Sequence, residues 1–387
     1  MCVDIELDDL KEDMIVVGKC INEDLLFEHW YNQIKYNDKE LNLIIAPTTV
    51  CNLRCTYCFE EGIPIIKMGR RLLTDLVSFL EKNYDLTAYK KVNVTLYGGE
   101  PLMYPHLTKE IMETLNLFFD RCEVTSDYRM ITNGTPLNAQ IAQDLVERGL
   151  RLIQVTIDGP QRYHDARRFY PDGAGSFETI IKNLQQYIDI IPYVALRISL
   201  DKQNCNFKEM DQFLVRLNEL DLKDKLSELY FACIVETLGE NQHGSSYAFD
   251  YAEAGKILCT FSELLKRHGI CSLEDPNFSP CRAHSNGGVV INADGELYKC
   301  ISLIGRKEYS VGHISTGFNE NYIPFLNINK WRSCLKENCP FVPLCAGGCH
   351  FDSVVGYGDI NLKACRKGMV ESFWLDSIVA NIFSESE

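Results

Sequence analysis

No hydrophobic stretch in this chain approaches the length of a membrane span, and its start lacks the basic-plus-apolar pattern of an export signal. Both absences lead to the expectation of a cytoplasmic protein with no membrane partner. Positive charge is scarce too: 39 Lys and Arg stand against 54 Asp and Glu, for a net charge of −15 and a pI near 5.1. A surface of that sign repels phosphate backbones, so no nucleic-acid partner is expected. Short-period repeats and low-complexity tracts are also missing, which excludes repeat architectures.

What the chain has in excess is cysteine, 17 in 387 residues. In a reducing compartment, clustered thiols point to metal rather than to disulfides. Seven are scattered (Cys2, Cys20, Cys122, Cys205, Cys233, Cys259 and Cys271) and read as ordinary buried thiols. With 46% hydrophobic and 24% charged residues, the chain can bury a large core. One big domain with one or two smaller ones is expected.

The densest early signal is Cys51-Asn-Leu-Arg-Cys55-Thr-Tyr-Cys58. Three thiols at this spacing can reach three irons of one [4Fe–4S] cube and leave the fourth open, free to chelate an amine and a carboxylate. A zinc knuckle or three core thiols are the competing readings. Zinc sites usually close four ligands in paired C-x2-C units, and no fourth ligand lies near in the sequence.

Around this loop, β-branched runs alternate with amphipathic stretches, the pattern of a parallel sheet with crossover helices. Six strands are predicted, at Leu41–Pro47, Lys91–Tyr97, Tyr128–Thr132, Leu152–Ile157, Val194–Leu200 and Leu229–Val235. Helices are expected at Arg71–Asn83, Leu107–Phe119, Asn138–Arg148, Ser176–Ile190, Lys208–Leu220 and Ala252–Arg267, with Asn138 and Ser176 as starts. The first strand runs into the cysteine loop, and the second ends in Gly98-Gly99-Glu100-Pro101. The third ends in Asn133-Gly134 and the fourth in Asp158-Gly159-Pro160. Unusual motifs thus gather at the carboxyl ends of strands, where parallel barrels do their chemistry. Residues 1–40 read as an N-terminal hairpin and helix segment, with apolar Met14–Val17 and an amphipathic Glu23–Tyr36. Residues 41–270 read as the barrel, and 271–387 as a cysteine-rich extension closed by a C-terminal helix.

The three-cysteine loop, with Tyr57 just before its last cysteine, followed by Gly98-Gly99-Glu100, resembles the radical S-adenosylmethionine (SAM) family. The resemblance implies a partial (β/α)6 barrel and a [4Fe–4S] cluster on Cys51, Cys55 and Cys58. It also implies a SAM site at Tyr57, Gly98, Gly99, Glu100, Asn133, Thr156, Arg168 and Arg197. His164-Asp165-x-x-Arg168 and Gly175-x-Phe177 resemble peptide and sulfatase maturases of the same family, although His164 also fits a helix cap or a core histidine.

At the C-terminal end the order is Cys281-x13-Gly295-x4-Cys300, a gap, Cys334-x4-Cys339-x5-Cys345-x3-Cys349, a gap, and Cys365. This resembles the SPASM extension of peptide-modifying relatives, whose pattern has x2 where Cys334 and Cys339 are separated by x4. It implies two auxiliary [4Fe–4S] clusters, one on Cys281, Cys300 and Cys349, the other on Cys334, Cys339, Cys345 and Cys365. Cys271 is the nearby candidate for a fourth ligand of the first. Between Cys281 and Cys300, residues 288–298 read as a β-hairpin with an Asp-Gly turn, which brings its end cysteines together. A structural zinc ribbon is the sober alternative.

The resemblance implies a 5′-deoxyadenosyl radical that abstracts hydrogen from a ribosomally made precursor peptide and installs a thioether or carbon–carbon cross-link. An external electron donor, flavodoxin or ferredoxin, is the expected partner. A sulfatase maturase, which oxidises Cys or Ser to formylglycine, is the rival. In those relatives an acidic residue follows the hairpin's second cysteine, whereas here Ile301-Ser302 follows Cys300. A non-catalytic iron–sulfur carrier is the alternative of another class, and it has no need of an open iron or of a SAM clamp.

Overall fold

The computed structural model describes residues 21–37, 39–235, 247–270 and 281–373. Met14–Val17, Cys2, Cys20, Cys271 and most of the 236–250 loop lie outside these residues; the predicted C-terminal helix is present at residues 367–373, and its continuation lies outside them.

Six parallel strands follow one another in sequence order: β1 (Glu40–Ile45), β2 (Lys91–Leu96), β3 (Thr125–Thr132), β4 (Leu150–Ile157), β5 (Tyr193–Leu200) and β6 (Glu228–Cys233). Each predicted strand is present, with no end moved by more than three residues. Alternation along the strands separates two faces. One carries Leu43, Val94, Met130, Val155 and Ile198, all fully buried. Against it pack the amphipathic helices Arg70–Asn83, Pro105–Arg121, Ala139–Val146, Phe177–Tyr187 and Phe207–Glu219, joined in one apolar core. The other face is half-buried and polar, with Arg129, Gln154, Thr156, Arg197 and Tyr230. In register, Thr156 stands beside Arg197, and Arg197 beside Tyr230. Sheet and helices therefore leave a polar concavity on the side away from the core.

The hairpin predicted near residue 290 is present as β7 (Gly288–Ile291) and β8 (Glu296–Tyr298). It is not a free-standing piece. β7 pairs in parallel with β1, from Asn42 opposite Gly288 to Ile45 opposite Ile291. β8 continues antiparallel into β9 (Gly312–His313) and β10 (Gly317–Phe318). One ten-stranded sheet thus runs from β10 through β7 and β1 to β6. The thiols after β1 and those flanking the hairpin consequently hang from neighbouring strands.

Local chemistry sets the helix starts. Asn138 accepts from Ile141 N at 2.9 Å, as an N-cap should. Asp250 and Glu253 form a reciprocal capping box that opens Tyr251–Arg267. Ser176 occupies the N-cap position of Phe177–Tyr187 but makes no cap bond. Its hydroxyl donates to Arg168 O at 2.6 Å, and Asp165 accepts from Phe177 N in its place.

Candidate metal and cofactor site

β1 delivers the chain to the carboxyl rim, where residues 46–58 cross the end of the sheet. Cys55 lies on a two-residue strand, Arg54–Cys55, paired antiparallel with Arg168–Phe169. Burial pushes the thiol of Cys51 up to about 12 and that of Cys58 up to about 11. The thiols of Cys55 and Cys58 act on Cys51, and that of Cys55 on Cys58, each raising the other further. Three soft donors crowded at low dielectric favour a bound cation that would offset their charge. Leu53 N also donates to Cys51 Sγ at 3.5 Å, the kind of amide contact that tunes iron–sulfur centres.

Gly98 and Gly99 matter here for a protein contact. A Cβ on Gly98 would stand 2.2 Å from Thr48 O, and one on Gly99 2.4 Å from Thr49 O. Gly99 N donates to Thr48 O at 3.1 Å and Glu100 N to Val50 O at 2.9 Å. Both glycines thus let the end of β2 press against the segment leading into the cysteine loop. The Glu100 carboxylate is fully buried. It accepts from Leu102 N at 3.0 Å, Thr132 Oγ1 at 2.8 Å and Asn133 N at 2.7 Å. Burial lifts it to about 7 against the pull of those donors. Its three partners are protein groups at the ends of β2 and β3.

Asn133 is similarly engaged. Its amide donates to Asn52 Oδ1, its Oδ1 accepts from Thr135 N at 2.9 Å, and Asn52 donates to Thr135 Oγ1 at 2.8 Å. Tyr57 donates to the Asp158 carboxylate at 2.8 Å and accepts from Arg168 Nη1 at 2.8 Å. Behind it, Arg167 pairs with Asp158 at 3.0 Å and with Asp201 at 2.9 Å, all three nearly fully buried. Asn204 donates to Asp158 O at 2.9 Å, tying the ends of β4 and β5. His164 is a core histidine: its Nδ1 accepts from Asp158 N at 3.2 Å, and burial holds it well below 6.5. Arg197 and Thr156, by contrast, lie on the polar concave face, and the buried Nε of Arg197 has no hydrogen-bond acceptor.

In the C-terminal part the thiols fall into two neighbourhoods. Burial raises Cys300 to about 12, with Cys281 and Cys349 adding to the rise. Cys334 is raised by burial and by Cys345 and Cys339, while Lys363 lies within reach of both Cys334 and Cys365. The x4 spacing between Cys334 and Cys339 is absorbed by a helix end. Asn338 takes a left-handed conformation (φ 52°), so that Cys339 N returns to Cys334 O at 3.0 Å. Among the described residues no three Cys, His, Asp or Glu side chains converge as ligands of one metal ion.

Sequence reasoning named Tyr57, Glu100, Asn133 and Arg168 for a ligand, and the structure gives each of them protein partners. It passed over Asn52, Arg167, Asp201 and Asn204, which lock the rim. Asp158 and Asp201 each follow a strand end, and that repetition was the available signal.

The Radical SAM superfamily model matches residues 45–214. A cysteine-type anaerobic sulfatase-maturating enzyme of Clostridium novyi is 26% identical over 80% of this chain and 88% of its own length. Native anSMEcpe with bound AdoMet and Kp18Cys peptide has a similar fold, with a TM-score of 0.70 at 20% identity, over 88% of this chain and 99% of that one. Streptococcus suis SuiB bound to precursor peptide SuiA aligns with a TM-score of 0.60 at 13% identity, over 93% of this chain and 86% of its own. Among the described residues no helix is long and apolar enough to cross a membrane. With the thiol loop at the carboxyl end of β1 in a parallel sheet, and the hairpin leading to Cys300 built onto that strand, the chain is an enzyme that carries a radical SAM domain over residues 45–214, followed by a cysteine-rich C-terminal region.

Proposed function

We propose that this enzyme modifies a ribosomally made precursor peptide, abstracting hydrogen and leaving a thioether or carbon–carbon cross-link. The observation that carries the reading is the pairing of β1 with β7, which sets the Cys51–Cys58 loop and the hairpin leading to Cys300 on adjacent strands. In this reading Cys51, Cys55 and Cys58 hold a [4Fe–4S] cluster with one iron open to SAM. Cys281, Cys300 and Cys349, with Cys271 as a further candidate, hold one auxiliary cluster. Cys334, Cys339, Cys345 and Cys365 hold the other. When bound, the cluster and SAM supply the electron and the adenosyl group of a 5′-deoxyadenosyl radical.

The chain's own residues bind and orient. Arg197 offers a buried donor without a protein acceptor, suited to a carboxylate, and Thr156 beside it offers a hydroxyl. Glu100 and Asn133 act through protein contacts, holding the thiol loop against the ends of β2 and β3. The apolar core behind the sheet keeps water from that side of the rim. Electrons come from a flavodoxin or ferredoxin.

Formylglycine formation on a sulfatase is the second reading, favoured by the extent of likeness to the C. novyi enzyme. Against it, the residues after Cys300 form a short turn, Ile301–Leu303, with no carboxylate to act as base. Anaerobically reconstituted protein, reduced with SAM and the peptide encoded beside its gene, tests both. A product lighter by two hydrogens supports the cross-link. Loss of sulfur with gain of oxygen supports formylglycine from Cys. No 5′-deoxyadenosine at full iron loading overturns both.

A further inference from the structure

Three lysines are buried beside the first thiol group of the extension. Lys35, Lys299 and Lys330 are 2%, 4% and 4% exposed. A buried ammonium is rare and normally sits against a carboxylate. Among the described residues no ion pair includes any of the three. Lys299 donates to the carbonyls of Ser285, at 2.7 Å, and Gly288. Lys330 donates to Cys349 O at 3.0 Å and Ser353 Oγ at 2.9 Å. All four acceptors are neutral. The carboxylate that acts on Lys330, Asp352, is itself held by Arg366 at 2.6 Å and by the Tyr251 hydroxyl.

Burial draws Lys299 and Lys330 down, and thiols are among the groups that work against it. Cys281 acts on both Lys299 and Lys330, and Cys349 acts on Lys330. Lys35 is tied to the same region by its carbonyl, which accepts from Asn286 N at 2.8 Å. It ends the helix Glu23–Lys35, and with Lys330 and Lys299 it acts on His284, whose ring packs against His350 at 4.3 Å between centroids. His284 is three residues from Cys281, and His350 follows Cys349. The second thiol group is surrounded differently. The lysine within reach of it, Lys363, has a side chain 30% exposed and is neutralised by Glu337.

An iron–sulfur cluster on thiolates carries net negative charge, which grows by one on reduction. Uncompensated buried cations stabilise the more negative state and so raise the potential. We infer that Lys35, Lys299 and Lys330 form a cationic cradle for a cluster bound by Cys281, Cys300 and Cys349, raising its reduction potential above that of the cluster on Cys334, Cys339, Cys345 and Cys365. This rests on the reading that the extension's thiols hold clusters. It assigns the site nearer β1 as the better electron acceptor, and Lys35 makes the N-terminal helix part of that site.

The experiment is an electron-paramagnetic-resonance redox titration of the anaerobically reconstituted full chain, with iron and sulfide counted. Wild type is compared with K35M, K299M and K330M, and with a triple variant, C281A/C300A/C349A, that assigns the signal. The expected result is a more negative midpoint for the assigned cluster in each lysine variant at unchanged iron content, with the other midpoints unmoved. Unmoved midpoints in all three at full iron content overturn the cradle and leave the cluster reading standing. A triple variant with undiminished iron overturns the cluster reading beneath it. Should K330M lose iron or fail to fold, K35M, far from the thiols in sequence, supplies the decisive midpoint.

Discussion

The side-chain amide of Asn133 donates to Asn52 Oδ1 at 2.9 Å and reaches Cys51 Sγ at 3.8 Å. A residue at the end of β3 therefore holds the loop that follows β1, across the intervening strand. Asn133→Ala removes both contacts and strands the Asn52 carbonyl. Each lost bond is worth about 1 kcal/mol, more where a group stays buried and unpaired. The variant is expected to be about 1–3 kcal/mol less stable as apoprotein and to lose iron faster to a chelator. Denaturant titration and the rate of iron release measure this; a wild-type release rate would sink the idea that this tie fixes the loop.

Gly98→Ala tests the packing account of the Gly-Gly pair. The added methyl would stand 2.2 Å from Thr48 O, and Gly98 has φ +130°, a conformation that side-chain-bearing residues rarely adopt. Clash and strain together are expected to cost about 3 kcal/mol or more. The loss should appear in the apoprotein, before any cofactor is added. A thermal midpoint matching wild type, with only SAM binding impaired, would instead assign Gly98 to the ligand.

His164 gives a pH signature. Burial holds its folded-state value well below 6.5, so the native protein resists protonation there while the unfolded chain accepts a proton. The neutral ring's contribution is complete above about pH 6.5 and lost as pH falls below it, by up to about 1.4 kcal/mol per pH unit. His164→Gln can still accept from Asp158 N but does not titrate. The difference in unfolding free energy between wild type and the variant, measured on apoprotein from pH 7.5 to 5, should move in the variant's favour as pH drops. A difference flat with pH would mean that the ring protonates in place.

Much of the fold was legible because a short β-branched run marks each of the six strands, and turn residues mark their ends. The thiol loop and Gly98-Gly99-Glu100 could be located for the same reason. The continuation of the sheet through Gly288–Ile291 was hidden, since β7 and β1 are more than 240 residues apart and local pattern carries no pairing information. The rim residues were hidden differently. Asn133 and Asp158 read as turn formers, which they are, but burial gives them a second task that composition cannot reveal. Ser176 shows the converse: a residue suited to capping was drawn to Arg168 O instead.

Asn338 decides whether the extra residues between Cys334 and Cys339 matter. It sits exposed at the end of the helix Trp331–Lys336 with φ 52°, where its N–H returns to Leu335 O at 2.9 Å and that of Cys339 to Cys334 O at 3.0 Å. This double return turns the chain sharply enough to bring the two cysteines back together, as a shorter spacing would do directly. Glycine adopts that conformation freely, asparagine tolerates it, and a β-branched residue pays about 1–2 kcal/mol. Asn338→Gly is therefore expected to keep full iron and unchanged stability. Asn338→Val should lose about 1–2 kcal/mol and release iron sooner under chelator, with the cluster on Cys281, Cys300 and Cys349 unaffected. The side chain is exposed, so iron loss is expected to act through the backbone turn. If Asn338→Val and Asn338→Gly hold iron equally well, Cys334 does not depend on this turn, and its place among the ligands would need another support.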